Sequence, residues 1–338
     1  MHDVRKFFEA VRFSAVCKTG SVELKIAIVT PAAAGSRTGN RHTAQRWAAM
    51  LRAAGHVVSV AGEWDGAHAE ILLALHARRS HASILRYHRL HPQGRLVVVL
   101  TGTDLYRDIR HDSDAQRSLK LAQRLVVLQD EGLKELPLPF RAKTRVIYQS
   151  AQVKAQALPP RKKFRVCVLG HLREEKDPFR TALALRLIPP EEKIELLHFG
   201  KAMSPAWAAQ AKTLMLREPR YRWLGSLPHW RALRWLCCSQ LMVISSRMEG
   251  GANAIAEAAC AGVPVLASHI SGNVGMLGSD YPGYFPVGDE AALARLLAKA
   301  MRNHAYYESL KHGVAARRRL FRPQSEQSSL ARLLRELY

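Results

Sequence analysis

Short apolar runs alternate with longer stretches of helical periodicity along most of the chain. Residues 25–30, Lys-Ile-Ala-Ile-Val-Thr, are too few for a helix and too apolar for a surface loop, so they predict a buried strand. Residues 41–54 repeat apolar positions at helical spacing and stop at Gly55, a residue that readily takes the left-handed turn ending a helix. Further strands are predicted at 56–61, 71–75, 96–100, 125–128 and 145–148. Strands that alternate with helices, and are apolar on both faces, belong to a parallel sheet covered on each side.

The pattern stops at 151–163, where Ala-Leu-Pro-Pro-Arg-Lys-Lys reads as a linker. It resumes with strands at 164–169, 193–199, 240–245 and 264–268. Residues 323–338 predict a helix with Leu330, Leu333 and Leu334 on one face. The expected architecture is α/β, with two doubly wound, Rossmann-like domains facing across a cleft. Its parts are an extension at 1–24, a first domain at 25–155, a second at 156–320 and a final helix at 321–338. Ligands of such sheets bind beyond the carboxyl ends of the strands.

The length of 338 residues fits two domains. The net charge of +23 adds an attraction for anions: nucleic acid, acidic membrane or phosphorylated small molecules. Its densest runs, Arg161-Lys162-Lys163 and Arg317-Arg318-Arg319, read as solvated faces. Neither zinc spacing nor a recognition helix supports nucleic-acid binding. No apolar stretch is long enough to span a membrane, and residues 1–24 lack the apolar core of a secretion signal. Peripheral contact with an anionic surface stays compatible with the charge. Cys17, Cys167, Cys237, Cys238 and Cys260 form no C-x-x-C pair and sit mostly in apolar surroundings, as expected of reduced thiols in a cytoplasmic protein.

The stretch from Ser245, Ser-Ser-Arg-Met-Glu-Gly-Gly-Ala-Asn-Ala-Ile-Ala-Glu-Ala-Ala-Cys-Ala-Gly-Val-Pro, carries the most chemistry. A strand ends, a tight loop follows, and a small-residue helix runs to Gly262. Free amides at Gly250, Gly251 and Ala252 suit a diphosphate at the positive end of that helix. Glu257, one turn inside, only accepts hydrogen bonds and suits the diol of a ribose; Glu249 suits the hydroxyls of a sugar.

Glu249 and Glu257 with seven residues between them, the glycine pair, Asn253 and the Gly262-Val-Pro264 turn resemble the donor signature of GT-B glycosyltransferases of the GT4 family. Gly170-His171-Leu172-Arg173-Glu174-Glu175-Lys176 is similar to the family's Gly-Arg-Leu-x-x-x-Lys element. By that resemblance Lys176 neutralises the leaving diphosphate; His171 replaces the family arginine, and Arg173 is an alternative source of charge. Trp223-Leu224-Gly225-Ser226-Leu227 resembles the segment that holds the nucleotide base. The resemblance implies a nucleotide-sugar donor and no metal, because Lys176 and the helix N-terminus meet the leaving-group charge. The Asp112-Ser113-Asp114 pair lies outside the donor half and reads as helix-capping acids.

The first domain is then expected to hold the acceptor. Gly35, Ser36, Arg37, Thr38, Gly39, Asn40, Arg41 and Thr43 make a polar loop entering a helix, an arrangement suited to a small tetrahedral oxyanion. With Leu100-Thr-Gly-Thr-Asp-Leu-Tyr and Ser246-Arg-Met-Glu-Gly-Gly-Ala-Asn, this loop resembles the selenosugar synthases of selenoneine biosynthesis, a divergent GT-B branch. That resemblance implies transfer of N-acetylglucosamine or glucose from a UDP-sugar to selenophosphate. It puts Arg37, Asn40, Arg41 and Thr43 on the selenophosphate oxygens, with Thr103 and Asp104 facing the anomeric carbon and Asp104, Lys176 and Glu249 as catalytic groups. Asp104 reads equally as a helix cap, and His76 and His88 are further candidates. The alternative is an ordinary hydroxyl acceptor of envelope or glycolipid synthesis.

Overall fold

The computed structural model describes residues 23–31, 39–154 and 157–338. The first lobe has six parallel strands: β1 (Lys25–Val29), β2 (Val57–Ala61), β3 (Ile71–Leu75), β4 (Arg95–Val99), β5 (Arg124–Val127) and β6 (Thr144–Val146). Their order across the sheet is β2-β1-β3-β4-β5-β6. The second lobe repeats the plan with β7 (Phe164–Leu169), β8 (Ile194–Phe199), β9 (Tyr221–Trp223), β10 (Leu241–Ile244), β11 (Val265–Ser268) and β12 (Tyr284–Phe285), in the order β12-β11-β10-β7-β8-β9. Two parallel doubly wound sheets with helices are the GT-B architecture.

The strands form where apolar runs allow both faces to be buried. Ile26 and Ile28 of β1 enter one core with Trp47, while Ala27 and Val29 enter the other with Tyr87. The period of two along a strand produces this division. β9 and β12, three and two residues long, are too short to show that period and escaped the sequence reading.

The strand orders locate the crevices. Order reverses between β1 and β3 in the first sheet and between β10 and β7 in the second. Connections leave opposite faces there and open a gap at the carboxyl ends. The gaps are flanked by the segments after Val29 and Leu75 in one lobe and after Leu169 and Ile244 in the other.

The helix Pro323–Arg335 returns to the first lobe, where Leu330, Leu333, Leu334 and the following Leu337 join the core beside Trp47. Between the lobes, the Ser271 hydroxyl donates to Glu135 at 3.0 Å, and Tyr148 donates to the Gly275 carbonyl at 3.0 Å. Among the described residues, no helix is long and apolar enough to cross a membrane.

Candidate active site

Two loops of the second lobe, after β7 and β10, are stitched together at the gap. The Arg247 amide donates to the Glu175 carbonyl at 2.8 Å, and the Ser245 hydroxyl to the Asp177 carbonyl at 2.9 Å. This brings the Lys176 ammonium onto the Glu249 carboxylate, whose Oε1 also accepts the Ser246 hydroxyl at 2.6 Å. Glu249 is almost buried, so water screens the pair weakly.

Behind them His198 is fully buried between the Gly170 carbonyl, 3.0 Å from Nε2, and the Tyr221 hydroxyl, 3.2 Å from Nδ1. A carbonyl only accepts, so Nε2 carries the proton and donates to Gly170. Burial pushes the imidazole pKa down to about 4 and keeps the ring neutral. His171 lies at the edge, with Nδ1 accepting the Lys201 amide at 3.0 Å. Arg173 is half-exposed, 3.8 Å from Glu175. Gly225, at φ +70°, turns its carbonyl to the Gly200 amide at 2.8 Å.

The helix Asn253–Ala261 has no side-chain cap at its start, which leaves the positive end of its dipole to the cleft. Glu257 lies one turn in and accepts His229 Nε2–H at 2.8 Å. That hydrogen bond raises the His229 pKa, against the partial loss of hydration beside Glu257 and the Arg46 charge. The His229 ring lies 5.9 Å from His42 of the first lobe.

The glycine pair has a tertiary cause that sequence reasoning missed. A Cβ at Gly250 would stand 2.2 Å from the Thr101 carbonyl oxygen, and one at Gly251 would stand 2.6 Å from Leu128 Cβ. Both glycines therefore let the loop after β10 seat against the first lobe. At the same junction, a Cβ on Gly39 would lie only 3.8 Å from Asn253 Nδ2, so the first turns of one helix from each lobe converge.

In the first lobe, Arg41 holds a buried Nε without a hydrogen-bond partner, next to Asn40 in the first turn of the helix Gly39–Ala53. Thr43 turns inward: its hydroxyl donates to the Gly39 carbonyl at 3.0 Å and accepts from Gln149, so it supports the helix and does not face the cleft. Asp104 is likewise corrected. It has no exposed surface, and its carboxylate accepts the amides of Thr101 and Gly102 at 2.9 Å and of Ala77 at 3.0 Å. These bonds leave it anchoring the loop rather than facing an anomeric carbon. Thr103 Oγ1 lies 3.0 Å from Nε2 of His76, a buried histidine held at φ +77°. Burial lowers the His76 pKa. His88 lies on an exposed helix face. Asp112 caps its helix by accepting the Ala115 amide, as its sequence context suggested. Gly35, Ser36, Arg37 and Thr38 fall outside the described residues.

His229, His42, His198 and Gln149 were not anticipated. The only signal for His229 was its place just after the Trp223-Leu-Gly-Ser-Leu segment; the others depend on contacts distant in sequence.

Several solved structures share this fold. HepE of Anabaena, solved in complex with UDP and glucose, superposes with a TM-score of 0.74 at 15% identity, covering 93% of this chain and 100% of that one. Sucrose-phosphate synthase of Thermosynechococcus elongatus gives a TM-score of 0.74 at 17% identity, covering 92% and 98%. The Rickettsia africae glycosyltransferase gives 0.70 at 13% identity, covering 93% and 98%. At these identities the likeness establishes the fold. Residues 149–317, which contain Lys176, Glu249 and Glu257, match the family of glycosyl transferases group 1, and the chain belongs to that family.

Proposed function

We propose that this glycosyltransferase moves a sugar, N-acetylglucosamine or glucose, from a UDP-sugar to selenophosphate. The observation that carries the reading is the meeting of two helix starts at Gly39 and Asn253, with the partnerless Arg41 Nε beside them. Two positive dipole ends and a guanidinium favour two anions side by side, the donor diphosphate and a small oxyanion acceptor. HepE, with the same fold, has been solved with UDP-glucose.

Glu257 receives the ribose diol and Glu249 the hydroxyls of the sugar. Lys176 turns from Glu249 to the diphosphate as charge develops on it. That stabilisation, with the two helix starts, makes the transfer metal-independent. Asn40 and Arg41, with Arg37 and its neighbours in the loop, hold the selenophosphate oxygens; Thr103 lines the opposite strand end. Selenium attacks C1 as an anion, so no strong general base is required. The C1–Se bond forms as the C1–O bond breaks, and UDP leaves with the bonding electrons. Water then cleaves the P–Se bond, releasing phosphate and the selenosugar. We assign the reaction to the cytoplasm, a reading that the unpaired Cys167, Cys237, Cys238 and Cys260 support.

The test is mass spectrometry of products from UDP-N-acetylglucosamine or UDP-glucose with selenophosphate, beside an Arg41→Ala variant. A selenium-containing sugar is expected from the parent and a strongly reduced yield from the variant. UDP release without such a sugar would favour a hydroxyl acceptor instead.

A further inference from the structure

We propose that His229 is a positioning residue for the donor: it holds the Glu257 carboxylate ready for the ribose diol, and His42 of the opposite lobe seats it. The inference rests on the reading of Glu257 as the ribose anchor.

Glu257 projects from a helix of sequence Asn-Ala-Ile-Ala-Glu-Ala-Ala-Cys-Ala. Its neighbours on the helix surface are Asn253, Ala254, Cys260 and Ala261, all too short to clamp a long flexible side chain. A free glutamate would sample several rotamers and lose that freedom on binding a ligand. The 2.8 Å bond from His229 Nε2 removes the freedom in advance by fixing Oε1. Oε2 makes no second hydrogen bond to His229, and both oxygens keep lone pairs for hydroxyl donors. The carboxylate is therefore oriented without being saturated.

His229 needs its own support, because its side chain is 57% exposed. It opens the helix His229–Cys237 directly after Pro228. The ring of His42 packs on it at 5.9 Å with an interplanar angle of 37°. His42 lies in the first turn of the Gly39–Ala53 helix, on the acceptor side. The series His42, His229, Glu257 thus runs from the acceptor helix across the cleft to the ribose anchor. Arg46, on the same helix as His42, and Glu257 supply the charges that face His229.

The series predicts a pattern that a merely structural surface histidine would not give. UDP affinity is measured calorimetrically, with donor KM and kcat, for Glu257→Ala, His229→Ala, His229→Gln, His42→Ala and the double variant His42→Ala/His229→Ala. Losing one orienting hydrogen bond weakens UDP binding about tenfold in His229→Ala, and the change falls on donor KM rather than on kcat. His229→Gln, whose amide can donate to Glu257, recovers most of the affinity. His42→Ala weakens binding by a smaller factor and has no further effect once His229 is gone. Parental UDP affinity in His229→Ala, a glutamine no better than alanine, or additive histidine effects would each overturn the proposal while weakened binding in Glu257→Ala leaves the ribose reading standing. Undiminished binding in Glu257→Ala would overturn both.

Discussion

The carboxylate of Glu326, in the helix that follows the second lobe, accepts the indole N–H of Trp47 at 2.7 Å inside the first. The same carboxylate takes Arg46 Nε at 2.9 and 3.1 Å, the Ser150 amide at 2.9 Å and the Ser150 hydroxyl. One buried acid therefore joins three parts of the chain: the helix Gly39–Ala53, the segment leaving β6 and the returning helix. Breaking a buried charged network by removing one member costs about 3–5 kcal/mol. Glu326→Ala is expected to lose that much in denaturant unfolding. Glu326→Gln should lose less, because its single amide oxygen can still accept from Ser150 in the Oε2 position or from Trp47 in the Oε1 position.

Lys176 is expected to matter in the transition state more than in binding. Removing one preorganised charge-stabilising group of this kind typically lowers kcat by about 10²–10³. Lys176→Ala should show such a loss in UDP release under saturating donor, assayed well below its unfolding midpoint, which falls because Glu249 loses its counter-charge. A variant that keeps kcat would remove Lys176 from the leaving-group role.

The glycine loop separates closure from flexibility. Alanine at Gly250 must displace the Thr101 carbonyl, which lies 2.2 Å from the new Cβ. Gly250→Ala should prise the lobes apart, lower kcat at least about tenfold through misplaced reacting groups and raise the radius of gyration in small-angle scattering. Gly262→Ala is the contrast: it stands at φ +72° in open space, so strain of about 1 kcal/mol is its whole cost and activity should persist.

His198 makes the fold acid-sensitive. Its pKa falls on folding from 6.5 to about 4 because burial disfavours the charged ring. The unfolded chain therefore binds the proton first. The stabilisation is complete above the ordinary value and disappears as the pH falls toward about 4. It amounts to something on the order of 3 kcal/mol. Melting temperatures between pH 7 and 4 should fall more steeply in the parent than in His198→Gln, whose amide can still donate to Gly170. Equal slopes would contradict the buried neutral ring.

What was readable in the sequence was what depends on neighbours along the chain. β1, β3 and β4 announce themselves because burial on both faces demands nearly unbroken apolar runs. The Glu249–Glu257 stretch, with its glycine stop at 262, fixes a loop, a helix and its end by local rules alone. What was hidden depends on segments far away along the chain. Gly250 looks like a residue for a ligand until Thr101 is found against it. Asp104 reads equally as a cap or a cleft acid until the Ala77 amide from a distant segment is found on it beside those of Thr101 and Gly102. Thr43 looks like an anion ligand until Gln149 occupies its hydroxyl. Each is a contact between segments whose pairing no local period reveals.

The leucines at 330, 333, 334 and 337 also set the order in which the molecule can mature. On the ribosome the amino-terminal half emerges early, yet its apolar face stays uncovered until these residues have been made. The later half, whose own core closes with Phe321, is completed only just before, so the first lobe does not gain the usual head start of the amino terminus. Nascent chains stalled before residue 330 should thus be the species that chaperones hold.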